Sequence, residues 1–258
     1  MMRPLVPVSG AARAVLGAGF FALFVGFWAA LTYGGAVPAI FLASPGKAAL
    51  SGWHLLTRFG FGFDMAMTIW RVLGGFAIAA ALGVPLGLAM GAFKPVEAFF
   101  EPFISFARYL PASAFIPLLI LWAGVGEVQK LAVIFLGTFF QIVIIVAVSA
   151  GATRTDLIEA AYTLGTRPGG IVRRVILPAN APQVMETLRL VLGWAWTYVI
   201  VAELIGASSG IGHMIMDSQR LLDTGQMIFG IVTIGLIGLV TDLLFRAANR
   251  RLFPWAGL

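Results

Sequence analysis

The chain has no cysteine, which excludes disulfides and Cys-ligated metal sites. Charge is scarce as well. Only 11% of the 258 residues are charged, against about a quarter in soluble domains. With 60% hydrophobic residues, the chain has too little polar surface to cover itself in water, and its natural solvent is the bilayer. The two histidines, His54 and His213, lie far apart with no ligand-like spacing. They read as interfacial residues, and no metal site is expected. No P-loop is present: the sole Gly-Lys pair, Gly46–Lys47, is followed by Ala48. No Ser-His-Asp or paired-carboxylate arrangement stands out, so a membrane hydrolase is disfavoured. There is no clear internal repeat and no low-complexity tail.

Long apolar runs are abundant. A bilayer core needs roughly 20 apolar residues as a helix. Six segments meet that test: Val15–Val37, Ile69–Ala92, Phe99–Val125, Leu131–Ala150, Pro182–Gly206 and Met227–Phe245. Together they predict a single all-α membrane domain over residues 1–258. The third segment holds Pro102, Pro111 and Pro117, which predicts a kinked or interrupted helix. The first segment is longer than the usual h-region of about 7–15 residues in a signal peptide, which favours a retained span.

The net charge of +6 is not a nucleic-acid signal, because the basic residues sit in short pieces between apolar runs. With the N-terminus inside, the inner set is Arg3, Arg13, Lys94, Arg154, Arg167, Arg173, Arg174, Arg246, Arg250 and Arg251. The outer set is Lys47, Arg58, Lys130 and Arg220. Ten against four satisfies the positive-inside rule. Both termini and the 151–181 loop are therefore expected in the cytoplasm. The outer segment Pro38–Asp64 predicts an interfacial helix capped by Ser44, opened by Pro45, with Ala48, Leu50, Trp53, Leu55 and Leu56 as its apolar face.

One polar island interrupts the apolar sequence, "TDLIEAAYTLGTRPGGIVRRVILP" from Thr155 to Pro178. Asp156 and Glu159 resemble a capping box, Gly165 suits a left-handed helix stop, and Pro168 can open a second short helix. Leu177 before Pro178 disfavours continuation. A structured polar projection of this length fits partner docking better than mere connection, since bundle connections usually run about 2–8 residues.

The spacing Glu159-Ala160-Ala161, three residues, Gly165, nine residues, Val175, one residue, Leu177-Pro178 resembles the cytoplasmic signature of ABC importer permeases. The family's usual Ile is Val175 here. "RVLGGFAIAAALGVPLGLAMG" (71–91), "FARYLPASAFIPLLILWAGVGE" (106–127) and "VAELIGASSGIGHMI" (201–215) are similar to segments of its nitrate/sulfonate/taurine-type branch. The resemblance implies a type I importer permease fold of six transmembrane helices in a bacterial inner membrane. It implies that 151–181 holds a coupling helix, with Glu159, Ala160, Ala161, Gly165, Thr166 and Arg167 facing a separate ATPase. It further implies a homodimer, two ATPase subunits carrying ATP and Mg, and a periplasmic or lipid-anchored solute-binding protein. No cofactor is expected on this chain, and no nucleic-acid partner. The cargo implied is a small, anionic solute: nitrate, taurine, a sulfonate, bicarbonate or an organic acid. A secondary transporter or channel without an ATPase is the alternative.

Ionisable groups inside spans are expensive and therefore functional candidates, at about 2.5–3.5 kcal/mol each on insertion scales. Arg108, with Tyr109 beside it, sits about ten residues into the third segment. It suits an anion in transit, or it pairs with a span carboxylate or with backbone carbonyls freed by the prolines. Glu186 and Arg189, at i and i+3, read as a structural pair. Glu203 either braces the loop that follows or pairs with Arg71. That loop, with Ser208, Ser209 and Gly210, reads as a flexible outer turn, a gate beside the solute-binding protein or a plain connection. Gln141, Trp194, Trp196 and Tyr198 are path-lining candidates, although Trp and Tyr at span ends are more often interface anchors.

Overall fold

The computed structural model describes residues 8–256, so Arg3 lies outside the described residues. All regular secondary structure among the described residues is helical. The helices are α1 (Gly10–Tyr33), α2 (Pro45–Arg58), α3 (Phe61–Ala92), α4 (Lys94–Ala107), α5 (Ile116–Ala123) and α6 (Glu127–Gly151). They continue with α7 (Thr155–Thr163), α8 (Pro168–Ile171), α9 (Leu177–Leu204), α10 (Ile211–Arg220) and α11 (Thr224–Leu252). Five stretches are long and apolar enough to cross a membrane: α1, α3, α6, the run Pro168–Leu204 and α11.

The third segment is not one helix. α4 and the stretch Ala112–Ala123 meet at an 83° bend, so the pair makes either a broken span or a re-entrant loop. Pro111 sits at the break with extended backbone (φ −68°, ψ 118°), and Pro117 opens α5. Pro111 has no N–H to give a helix, and the interruption falls at 108–111, just ahead of the helical stretch Ala112–Ala123. α3 begins at Phe61, eight residues before the expected Ile69. Its 32 residues extend about 48 Å at about 1.5 Å each.

The chain divides into two compact units. The smaller reaches to Gly60 and includes Ile215–Ile231. Within it, Ser44 Oγ accepts the Lys47 amide at 3.3 Å and Pro45 opens α2. The buried face of α2 is Ala48, Gly52 and Leu55. The expected face was too broad, for Leu50, Trp53 and Leu56 point outward. The seat of α2 is narrow because a Cβ on Gly52 would lie 2.7 Å from Phe229 Cγ. Trp28 Nε1 donates to the Ala43 carbonyl at 2.9 Å. α1 has no buried residue, so its phenylalanines are left to lipid.

The larger unit spans Phe61–Met214 and resumes at Val232. Its core is the packing of α3 on α6 and of α6 on α9, with Val72, Ala79, Ile134, Ile142, Val146, Val191, Ala195 and Val199 buried. Glycine makes the α3–α6 contact possible. A Cβ on Gly75 would sit 2.8 Å from Ile134 Cβ, and one on Gly87 would sit 2.7 Å from the Val143 carbonyl oxygen. Gly83, Gly87 and Gly91 recur every fourth residue, a small-xxx-small stripe that lets backbones approach where lipid offers no hydrophobic drive.

The junction after the polar island departs from expectation. Pro178 does not stop the chain's helix. Residues Val172–Ile176 form one π turn, closed by the Leu177 amide on the Val172 carbonyl, and α9 runs on through Pro178 in its first turn. Proline has no N–H to continue the ladder and its ring crowds the preceding turn, and the wider π turn just before it makes room for it. The wider turn thus joins α8 to the fifth span without a break.

Candidate functional site

Four polar groups of the larger unit bear on function. The first is the island. α7 ends in a Schellman closure: the Gly165 amide donates to the Tyr162 carbonyl at 2.9 Å, and the Thr166 amide donates to the Ala161 carbonyl at 3.0 Å. Gly165 has φ +77°, the left-handed position that the sequence pattern requires. The capping box does not form. Arg154 occupies the N-cap, and Asp156 lies in the first turn of α7, paired with Arg154 through two hydrogen bonds. This guanidinium holds the Asp156 carboxyl below the usual carboxylate range. Glu159, Ala160, Gly165 and Arg167 are exposed, and Thr166 is half-buried. Ala161 is 7% exposed and belongs to the apolar cluster containing Ile171 and Ile176. Leu164, by contrast, is 86% exposed beside Tyr162 and Leu157, an apolar patch on an otherwise polar element.

The island's base is held by Asn180, a residue the sequence reading did not single out. Its Nδ2 donates to Thr153 Oγ1 at 2.7 Å and to the Ile176 carbonyl at 2.8 Å. Its Oδ1 accepts Ser149 Oγ at 3.1 Å. The end of α6 and the start of α9 are thereby tied together. A buried Asn between Pro178 and Pro182, in an apolar run, was the available signal.

The second group lies at the opposite end of α9. Arg71 is 1% exposed and uses all five of its N–H donors. Nε and Nη2 grip Glu127 in a fork, each at 2.7 Å. Nη1 donates to Glu203 Oε1 at 2.8 Å and to the Ser209 carbonyl at 2.7 Å. Nη2 also reaches Ser209 Oγ at 3.1 Å. Glu203 in turn accepts Thr68 Oγ1 at 2.9 Å and the Gly212 amide at 2.9 Å. The Ile211 amide donates to Thr68 Oγ1 at 2.8 Å, and the Gly210 amide to Asp64 at 2.7 Å. Both sequence readings of Glu203 thus hold in the geometry: it pairs with Arg71 and it braces the loop. The loop is not the flexible turn expected. Ser209 and Gly210 are buried, although Ser208 is exposed. Gly210 has φ +113°, and a Cβ there would lie 2.5 Å from the Glu203 carboxyl carbon.

The third group extends the pair Glu186–Arg189, which is made at 2.6 Å. Arg189 also pairs with Asp242 on α11, which holds Arg246 at 2.8 Å.

The fourth group is scattered. Arg108 caps the end of α4, exposed, with Nη2 on the Tyr109 hydroxyl at 2.7 Å and its guanidinium 4.6 Å over the Tyr109 ring. It makes no ion pair among the described residues. It ends a polar stripe along α4 of Lys94, Glu97, Glu101 and Ser105, which lines a groove with Met90 and Gly151. Gln141 and Trp194 are not part of that groove. They meet with Thr197 and Tyr198 around a separate cavity of about 350 Å³. Glu203 belongs to the Arg71 cluster. Trp196 turns inward and donates to Thr241 at 3.3 Å.

Several helices long and apolar enough to cross a membrane, one of them pinned by polar clusters at both ends, and a short folded polar projection define a polytopic membrane protein. Residues 83–254 match the family described as binding-protein-dependent transport system inner membrane component, and the chain belongs to it. It is thus a multi-pass inner-membrane permease of an ABC importer, a transport component whose ATPase is a separate subunit. It is 38% identical over 237 residues to a probable ABC transporter permease of Brucella melitensis, covering 91% of this chain and 94% of that one. It is 33% identical over 234 residues to the putative aliphatic sulfonates transport permease protein SsuC of Bacillus subtilis, covering 91% and 85%. An inward-facing structure of the MetNI methionine ABC transporter shares the fold, with a TM-score of 0.58 at 19% identity over 71% of this chain and 95% of that chain. This membership sets aside a secondary transporter or channel.

Proposed function

We propose that two copies of this chain form the membrane pathway of an ATP-driven importer for a small oxyanion, with sulfonates the leading class. The sulfonate class follows the Bacillus subtilis relative, a putative aliphatic sulfonates transport permease. In this reading both termini and the 151–181 island are cytoplasmic and the 206–212 loop is outside, the orientation that the charge bias supports. Glu159, Ala160, Gly165, Thr166 and Arg167 then present α7 to the ATPase, with Leu164 as an apolar anchor. The carrying observation is the continuity of the island with the span: α8, the π turn and α9 form one helical run, Pro168–Leu204. Movement of α8 reaches the membrane without passing a hinge loop, and α7 is joined to α8 by the bonded Gly165 turn. Alternating access follows, as rigid helices shift between two packed arrangements.

Gly165→Val tests this reading. A Cβ there meets no atom within 4 Å, so packing tolerates it. The left-handed backbone does not, at a cost of about 1–2 kcal/mol, and the turn must rearrange. The variant should reach the membrane at normal levels. In proteoliposomes with the partner ATPase and binding protein, sulfonate uptake should fall tenfold or more while ATP hydrolysis loses its response to loaded binding protein. Uptake at the wild-type rate would sink the assignment of the island.

A further inference from the structure

The cavity between α6 and α9 carries an inference that rests on the import of an oxyanion proposed above. Trp194, Thr197 and Tyr198 stand at i, i+3 and i+4 on α9, one face of the helix, with Gln141 opposite on α6. At about 1.5 Å per residue, Gln141 lies about 21 Å and about 15 Å from the two ends of α6. That is near the middle of a hydrocarbon core about 30 Å thick. Tyr198 reaches this place because Gly137 is bare: a Cβ there would lie 2.7 Å from Tyr198 Cγ.

The Gln141 amide, Trp194 Nε1, Thr197 Oγ1 and Tyr198 Oη have no hydrogen-bond partner among the described residues. Hydrocarbon cannot satisfy such groups, and four of them converging at mid-depth is costly on a lipid face. The face must therefore look onto water, solute or both. Its volume of about 350 Å³ admits a small solute with several waters, each of which occupies about 30 Å³ in the liquid. No carboxylate lines it, so a cation finds no counter-charge. No arginine or lysine lines it either. The donors are all neutral.

We infer that this cavity is a transit site for the oxyanion, recognised by neutral N–H and O–H donors rather than by a fixed positive charge. A buried cation would hold an anion strongly in a low-dielectric site. Neutral donors offer the solute's oxygens a replacement for water while leaving release fast, which conduction demands. Arg108 lines the other groove and plays no part in this step.

The test uses the complete transporter in proteoliposomes with a radiolabelled short alkanesulfonate. The variant Gln141→Leu/Thr197→Val/Tyr198→Phe removes three donors with little change of shape. Its uptake should fall tenfold or more, with the ATPase still copurifying and the binding protein's own Kd unchanged. Gln141→Lys should do the opposite to retention: label held by the purified complex rises while uptake slows. A merely structural glutamine predicts the same result for Gln141→Lys and Gln141→Leu, with no gain of retained label. If the triple variant loses its ATPase, Tyr198→Phe alone carries the test, with an expected loss of at least threefold. Wild-type uptake by the assembled donor-deleted variant overturns the transit site and leaves the import reading intact. Failure of the wild type to take up any sulfonate, carboxylate or nitrate overturns both.

Discussion

Replacing Arg71 with methionine should be among the most damaging single changes in the larger unit, and the two carboxylates around it divide the cost unequally. Arg71 makes five hydrogen bonds from a site that is 1% exposed. Without it, Glu127 retains 43% side-chain exposure and rehydrates. Glu203, with 0% side-chain exposure, cannot. An uncompensated buried charge costs about 3–5 kcal/mol. The same reasoning assigns Glu127→Gln about 1 kcal/mol, because its pair is partly solvated. Adding Glu203→Gln to Arg71→Met removes the stranded charge, keeps an acceptor for Thr68 and the Gly212 amide, and should recover most of the loss. At about 2–4 °C per kcal/mol, the single Arg71→Met change lowers the thermal midpoint by about 6–20 °C. Tryptophan fluorescence during heating in nanodiscs reads this, with the double mutant completing the cycle. A fall of less than 2 °C for Arg71→Met, or a double mutant worse than the single by the full cost of Glu203→Gln, would refute the argument that Glu203 is the stranded charge.

Two further outcomes follow from local geometry. Gly87→Val should loosen α3 from α6, since its Cβ would lie 2.7 Å from the Val143 carbonyl oxygen and 2.8 Å from Val146 Cβ. Overpacking of this kind costs about 1–3 kcal/mol, read as a lower unfolding midpoint, whereas Gly17→Val on α1, with open space around it, should change nothing. Asp156 has its carboxyl held below the usual range chiefly by the hydrogen bond from Arg154. Its contribution to holding α7 is therefore full at neutral pH and is lost as pH falls through that depressed value. NMR titration of the Asp156 carboxyl should show the low midpoint, and Arg154→Gln should return it toward the ordinary value.

The legible parts of the sequence were those where one residue has one physical solution. Gly165 announces a left-handed turn because few other residues tolerate it, and the Schellman bonds close where the pattern places them. Pro111 announces a broken third span for the same reason, and the break ends at it. Pro178 misled, because its local preference against helix is avoided by the π turn just before it. Nothing in the residue types of 172–176 signals that turn. The stripe Gly83-Gly87-Gly91 is a legible helix-packing signal, since small residues four apart fall on one helix face. The Arg71 cluster was half legible. Arg71 and Glu203 are conspicuous inside apolar runs and invite pairing, whereas Thr68, Glu127 and the backbone of 209–212 join only because four distant segments converge.

That convergence bears on how the molecule works. α9 begins at the knot that Asn180 ties to Ser149 and Thr153. It ends in Glu203, held by Arg71, Thr68 and the Gly212 amide. Between these anchors it presents Trp194, Thr197 and Tyr198 to the cavity. A helix fixed at both ends cannot slide past its neighbours without breaking one knot. The end near Asn180 is held by neutral hydrogen bonds, worth about 1 kcal/mol each, and by the partly solvated Arg189–Asp242 pair to α11, worth about 1 kcal/mol. The end at Glu203 is held by a buried charge cluster whose rupture costs several times more. Under the proposed coupling, a push on α7 should therefore shift the weaker end first and pivot α9 about Glu203. Trp194, Thr197 and Tyr198 then move on a lever anchored at the Arg71 cluster.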